Sequence, residues 1–222
     1  PIVIIDTQNQ AILDEPRILA KMKIIDNQDG SRNVLASDNF AYEGDIEIEI
    51  RGSTSQSYEK KQYRIETQHP DGSNHNVSLM GLPEENDWIL GAPTMDKTMI
   101  RNALAYHISR ALGEYAPRTR PCELVLNGEY RGVYVLTEKP KRDRNRLSLS
   151  KDEGYILKID KFTGYKCAEF LSTEAQGVDI QYDYPDCEVL SQEGRSYIDG
   201  YVNRFEKALF SEDFMSGETG YR

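Results

Sequence analysis

Apolar positions along the 222 residues recur mostly at every second residue, the spacing that sets side chains alternately on the two faces of a strand. Runs of this kind, rich in Ile, Val and Tyr, predict strands at 2–6, 18–25, 45–51, 62–67, 87–91, 121–127, 131–137, 154–160 and 179–183. Asn127-Gly128 stands between two of them, and this pair favours the tight turn of an antiparallel hairpin. A mostly antiparallel sheet is therefore expected. In two stretches the period becomes helical. Between Asp96 and Leu112 one face collects Ile100, Leu104, His107, Ile108, Ala111 and Leu112, with Asp96 as the expected N-cap and Gly113 as the stop. From Ser191 to Leu209 the repeat is cleaner: Ile198, Tyr201, Val202, Phe205, Ala208 and Leu209. The pattern predicts a β-rich α+β fold with two amphipathic helices.

Composition narrows the partners. Lys and Arg number 27 against 37 Asp and Glu, a net charge of -10, which argues against sequence-independent binding to nucleic acid. No run of 18 or more apolar residues occurs, so no membrane span is expected. The opening Pro1 without a Met suggests removal of a signal, and the aperiodic tail 211–222 suggests truncation. Cys122, Cys167 and Cys187 form no Cys-x-x-Cys pair and have no His at zinc-ligand spacing. A Cys167–Cys187 bridge and buried free thiols both remain open, the second favoured.

Cationic chemistry concentrates in two places. In "RGSTSQSYEKKQYRIET", Arg51, Lys60, Lys61 and Arg64 flank a loop of small polar residues beginning at Gly52. Ser53, Ser55 and the loop amides could donate to phosphate oxygens; the plain alternative is a hairpin with a solvated basic end. Lys61 shares strand parity with Tyr63 and Ile65, so a lysine facing inward there would need an anion. The second run follows Glu138 and comprises Lys139, Lys141, Arg142, Arg144, Arg146 and Lys151. Both runs are expected on one side of the sheet, converging on one concave site. His107 reads as a core histidine, Trp88 as an inward-packed residue, and Asp160 as a turn cap or metal ligand. No nucleophile triad emerges.

Four segments, "IEIRGSTSQSYEKKQYRIET", "LVLNGEYRGVYVLTEKPKR", "GYILKIDKFTG" and "YIDGYVNRFEKAL", together resemble the CotH family, named for a spore coat protein. The likeness runs from about Ile46 to Leu209. It implies an atypical secreted protein kinase that binds ATP with Mg or Mn and phosphorylates Ser or Thr of extracytoplasmic proteins. By resemblance, Gly52 to Ser57 cover phosphates, Lys61 contacts them with support from Arg51 and Arg64, and Glu138 and Lys139 line the nucleotide cleft. The helix 96–112 becomes a packing helix, although it has no Glu on its inner face to pair with Lys61. The implied organisation is an N-terminal strand region 1–40, a nucleotide-binding portion 41–190 resembling half of a kinase fold, and a connection 191–222 leading to a catalytic lobe. Ser53, Gln62 and Pro140 stand where the family usually has Asn, Pro and an aliphatic residue. The family's catalytic Asp and Trp-Asp metal motif are expected beyond the second helix, so this portion is expected to be inactive alone. The rival reading is a secreted or coat-type interaction module without phosphotransfer.

Overall fold

The computed structural model describes residues 1–160, 167, 171–172, 178–212 and 214–215. The chain divides into two compact units, Pro1–Pro140 with Asn145–Leu147, and Lys141–Arg144 with Ser148–Arg222. In the first unit seven strands close a barrel in the order β1 (Ile2–Asp6), β2 (Ile18–Ile25), β3 (Tyr42–Arg51), β4 (Gln62–Gln68), β5 (Asp87–Gly91), β7 (Glu129–Glu138) and β6 (Thr119–Leu126). Every neighbouring pair is antiparallel except β1 with β6, which is parallel and closes the ring. Residues 1–40 thus supply two strands of the barrel itself. The alternation seen in the sequence turns one set of side chains inward: Val3, Ile5, Met22, Ile24, Ile46, Ile48, Tyr63, Ile65, Trp88, Leu90, Leu124, Tyr134 and Leu136 form one buried core. Closure removes the sheet edges.

Helix α1 (Arg101–Ala111) departs from expectation. It starts late, because Met99 adopts a positive φ of 58° before it. Asp96 is not its N-cap, a position that Ile100 takes without a side-chain bond, but the Asp96 carboxylate accepts from the Thr98 amide at 3.0 Å and the Arg101 amide at 2.9 Å. None of its residues is buried, and Ile100, Leu104, Ile108 and Leu112 are exposed. His107 is exposed too, which corrects its reading as a core histidine.

The second unit holds a small antiparallel sheet, in the order β8 (Ile156–Ile159), β10 (Asp179–Tyr184), β9 (Leu171–Ser172), and α2 (Gln192–Leu209). Ser191 caps α2, its hydroxyl accepting from the Gly194 amide at 3.1 Å. Ile180, Tyr182, Cys187, Leu190 and Ile198 form its core. Cys167 and Cys187 are joined, with Cα atoms 6.3 Å apart, so the free-thiol expectation is corrected for these two. Cys122 remains a free thiol, buried in the barrel, where burial pushes it up to about 12. Most of the tail 211–222 lies outside the described residues.

Candidate functional site

The connection from β3 to β4 carries the first cationic group. Gly52 has φ +101°, and a Cβ there would stand 2.0 Å from the Ser55 hydroxyl, so glycine is the residue this bend accepts. Ser53 then starts a single 3₁₀ turn, Thr54–Ser57, without using its side chain as a cap. Two cations tie the loop to main-chain oxygens and not to carboxylates. Lys61 Nζ donates to the Gln56 carbonyl at 2.6 Å, and Lys60 Nζ donates to the Val133 carbonyl at 2.6 Å while lying 4.6 Å from the centre of the Tyr134 ring. Burial lowers the Lys60 pKa. Tyr134 donates its hydroxyl to the Lys61 carbonyl at 3.1 Å and stacks with Tyr63 at 6.2 Å. The loop is thereby pinned to the barrel rim.

Two cavities flank this loop. One, of about 390 Å³, is lined by Lys60, Lys61 and Arg131 together with Tyr58, Tyr63, Tyr130 and Tyr134; Glu59 is its one acidic wall. The other, of about 280 Å³, takes Ser55 and Gln62 from the loop side and lies over β5, β6 and β7 beside the start of α1. Tyr58 and Thr94 line both. Arg51, at the base of the loop, donates to Gln62 at 3.3 Å. Lys60 and Arg131 were not singled out in the sequence as ligand contacts. Lys60 had a signal, adjacency to Lys61; the approach of Arg131 depends on the pairing of β4 with β5 and of β5 with β7, the second of which no local pattern announces.

The second cationic run does not join this site. Glu66 pairs with Asp87, and Trp88 with Glu138, while Tyr63 pairs with Leu90 and Gly91 with Val135. The loop therefore sits where β5 ends, and Lys139 sits at the other end of the same strands. Tyr134 to Glu138 alone spans about 13 Å of strand. The run itself disperses: Lys141–Arg144 belong to the second unit, and Arg146 is buried in the first. Convergence on one concave site is corrected accordingly.

Glu138 faces the barrel interior with its side chain fully buried. It accepts from the Arg118 amide at 2.9 Å and Arg118 Nε at 3.1 Å, and from Arg146 at 2.9 Å. Arg146 lies 4.9 Å from the centre of the Trp88 ring, and its Nε and second terminal nitrogen meet no protein acceptor. Arg64 is likewise engaged: it bridges Asp87 at 2.8 Å and Glu66 at 2.6 Å, and lies 3.4 Å from Glu49. Lys139 approaches Asp87 at 3.6 Å, and Arg17 reaches Glu47, Glu49 and Glu66. Desolvation, with Asp87 alongside, raises the Glu66 pKa despite these cations. Glu138, Arg64 and Lys139 are thus each engaged by opposite charges of the barrel itself.

The same neutralisation bears on metal. Mg²⁺ and Mn²⁺ take oxygen ligands, and the carboxylates gathered at Glu47, Glu49, Glu66 and Asp87 are already interleaved with Arg17, Arg64 and Lys139. Among the described residues the grouping with three potential ligands in reach is Cys167, Asp186 and Cys187, whose sulfurs are bonded to each other. Asp160 pairs with Lys158 at 3.1 Å. These residues do not fit a catalytic Mg²⁺ or Mn²⁺ site. No helix among the described residues is long and apolar enough to cross a membrane.

Residues 48–218 match the family described as CotH kinase protein, well over half of the chain. No curated protein matches it.

Proposed function

The chain belongs to the CotH kinase protein family, and from that membership and the geometry of its Gly-Ser loop we propose that it is the nucleotide-holding part of a secreted protein kinase. In this reading it binds ATP, and the γ-phosphoryl group passes to Ser or Thr of extracytoplasmic acceptor proteins. The observation that carries the reading is the convergence of Lys60 and Lys61, both held by main-chain carbonyls, with four tyrosines on one cavity beside a loop that only glycine can bend; Arg131 lines the same cavity but is paired with Glu129 at 2.7 Å. A cation held by a carbonyl keeps its orientation without losing its charge, which is what a phosphate contact requires. A loop between two antiparallel strands is also how protein kinases cover nucleotide phosphates. Here Gly52, Ser53 and Ser55 would supply the cover, Lys61 and Lys60 the charge, and Tyr58 and Tyr130 ring faces for the base. Arg51 supports the loop base.

ATP, when bound, would supply the phosphoryl group; this chain's part is to hold and orient it. The metal clamp and the general base belong to residues outside the cavity described, and transfer by this chain alone is expected at background. A secreted, periplasmic or cell-surface location is supported by the Cys167–Cys187 bridge, since such bonds persist in oxidising compartments. Calorimetric titration tests the reading. With charge-assisted contacts of about 1.5–3 kcal/mol each, ATP should bind at least about tenfold more tightly than adenosine. Equal affinity for the two, or transfer of labelled phosphate by the chain alone, would overturn it.

The exposed apolar stripe Ile100, Leu104, Ile108 and Leu112 on α1 favours the second reading, a secreted or coat-type interaction module. Absence of any ATP binding would select it.

A further inference from the structure

The cavity of about 280 Å³ beside α1 has a different character from the cationic one. Its space exists because small residues, Gly91 and Ala92 at the exit of β5 and Ala103 on α1, stand where larger side chains would fill it. Val135 and Thr137 of β7 and Thr119 of β6 make its floor, Met95 and Met99 its apolar mouth. Its exposed wall is more apolar than polar, with the Thr119 and Thr137 hydroxyls on the strands and polar groups of Ser55, Asp96 and Asn102 elsewhere on its lining. Its volume is near the lower end of small-molecule pockets, roughly 300 Å³, which suits a ligand of one or two rings. Unbranched methionines adapt to flat ligands and make favourable sulfur–aromatic contacts.

The mouth is also held open by the backbone. Met99 sits in the left-handed region at φ +58°, a conformation that residues other than glycine rarely adopt. It is fixed there because its amide donates to the Asp96 carbonyl at 2.9 Å, while the Asp96 carboxylate accepts from the amides of Thr98 and Arg101. The turn does not fold into the space beside it.

We propose that this cavity binds a small aromatic molecule carrying one hydrogen-bonding group, of the phenol or indole class. The ring would lie between Met99, Ala103 and Val135, with its polar group toward Thr119 or Thr137. Nothing in this assignment depends on nucleotide, although Tyr58 and Thr94 make the two cavities neighbours.

The test is a nitrogen-15 NMR titration of the chain with indole, in the absence of nucleotide. Binding with Kd on the order of 1 mM is expected for a ligand of this size, with saturable shifts confined to amides around Gly91, Ala103 and Thr119. Two substitutions fill the cavity from opposite walls: Ala103→Leu suits a helix, and Gly91→Val suits a strand, where an added Cβ meets only the Val135 carbonyl at an ordinary 3.5 Å. Each should weaken indole binding at least about tenfold, so that one variant suffices if the other fails to fold. Shifts that scatter over the surface or rise without saturation would overturn the proposal. So would unchanged indole affinity in a folded filling variant. ATP titration of the same variants separates the two readings, since the cationic cavity keeps all its cations in both.

Discussion

At the end of the barrel where β7 finishes, arginine meets carboxylate. Arg118 and Arg146 close on a fully buried Glu138, and Arg64 and Lys139 meet at Asp87. At the end where β7 begins, Arg131 pairs with Glu129, but Lys60 and Lys61 meet main-chain carbonyls beside a cavity with no carboxylate bonded to either. The residue types are similar, and their partners decide what they do. A cation matched by a carboxylate is part of the structure; one oriented by a carbonyl is available to an anion.

The largest effect should come from breaking the matched end. Glu138→Ala leaves Arg146 buried against Trp88 with no acidic partner, and removal of one member of a buried pair typically costs about 3–5 kcal/mol. Trp88 is the single tryptophan and lies in this core, so urea unfolding followed by its fluorescence reads the loss directly. A shift below about 1 kcal/mol, the scale of an exposed pair, would mean that the pair is not buried as described.

Gly52→Ala attacks the opposite end and should cost less. A positive φ penalises a non-glycine residue by about 1–2 kcal/mol, and the new methyl group displaces the Ser55 hydroxyl. Combining it with Ser55→Ala should recover the steric part and leave the backbone part. Full recovery would show that the bend does not require glycine.

Smaller still is the pH effect of Glu66. Its folded pKa is raised above the ordinary 4.5 by desolvation and by Asp87, so the folded state binds this proton more tightly than the unfolded chain does. The stability it contributes is fully present below 4.5 and is lost as pH rises through the folded value. Glu66→Gln should remove that slope, making the variant gain on wild type as pH rises from 4.5 through the folded value. Parallel stability–pH curves in the two proteins would contradict the assignment.

Much of this contrast could be read from single residues and much could not. The period of two located the barrel strands, because each turns alternate residues inward, and it placed Trp88 correctly. Parity also held a signal for Glu138, which follows Tyr134 and Leu136 on the inward face. Its partners are another matter: Arg118 lies 20 residues away and Arg146 turns back onto Trp88, contacts set by tertiary packing. The parallel closure of β1 on β6 joins Ile2 to Glu123, and local spacing carries no trace of such a pairing. Helix α1 shows the converse. Its periodicity was clear, yet its apolar face is exposed, since periodicity states which residues share a face and not what covers them.

The sharpest test sets one lysine from each end against the other. ATP is titrated calorimetrically into wild type, Lys61→Met and Lys139→Met, with Trp88 fluorescence confirming that each is folded. Methionine keeps the apolar stem of lysine and deletes its charge. The prediction is that Lys61→Met loses ATP affinity by about tenfold or more, the value of one charge-assisted contact, with unfolding unchanged, while Lys139→Met binds ATP as wild type does. ATP affinity that survives Lys61→Met and falls in Lys139→Met would place the nucleotide at the other end of the barrel and contradict the account.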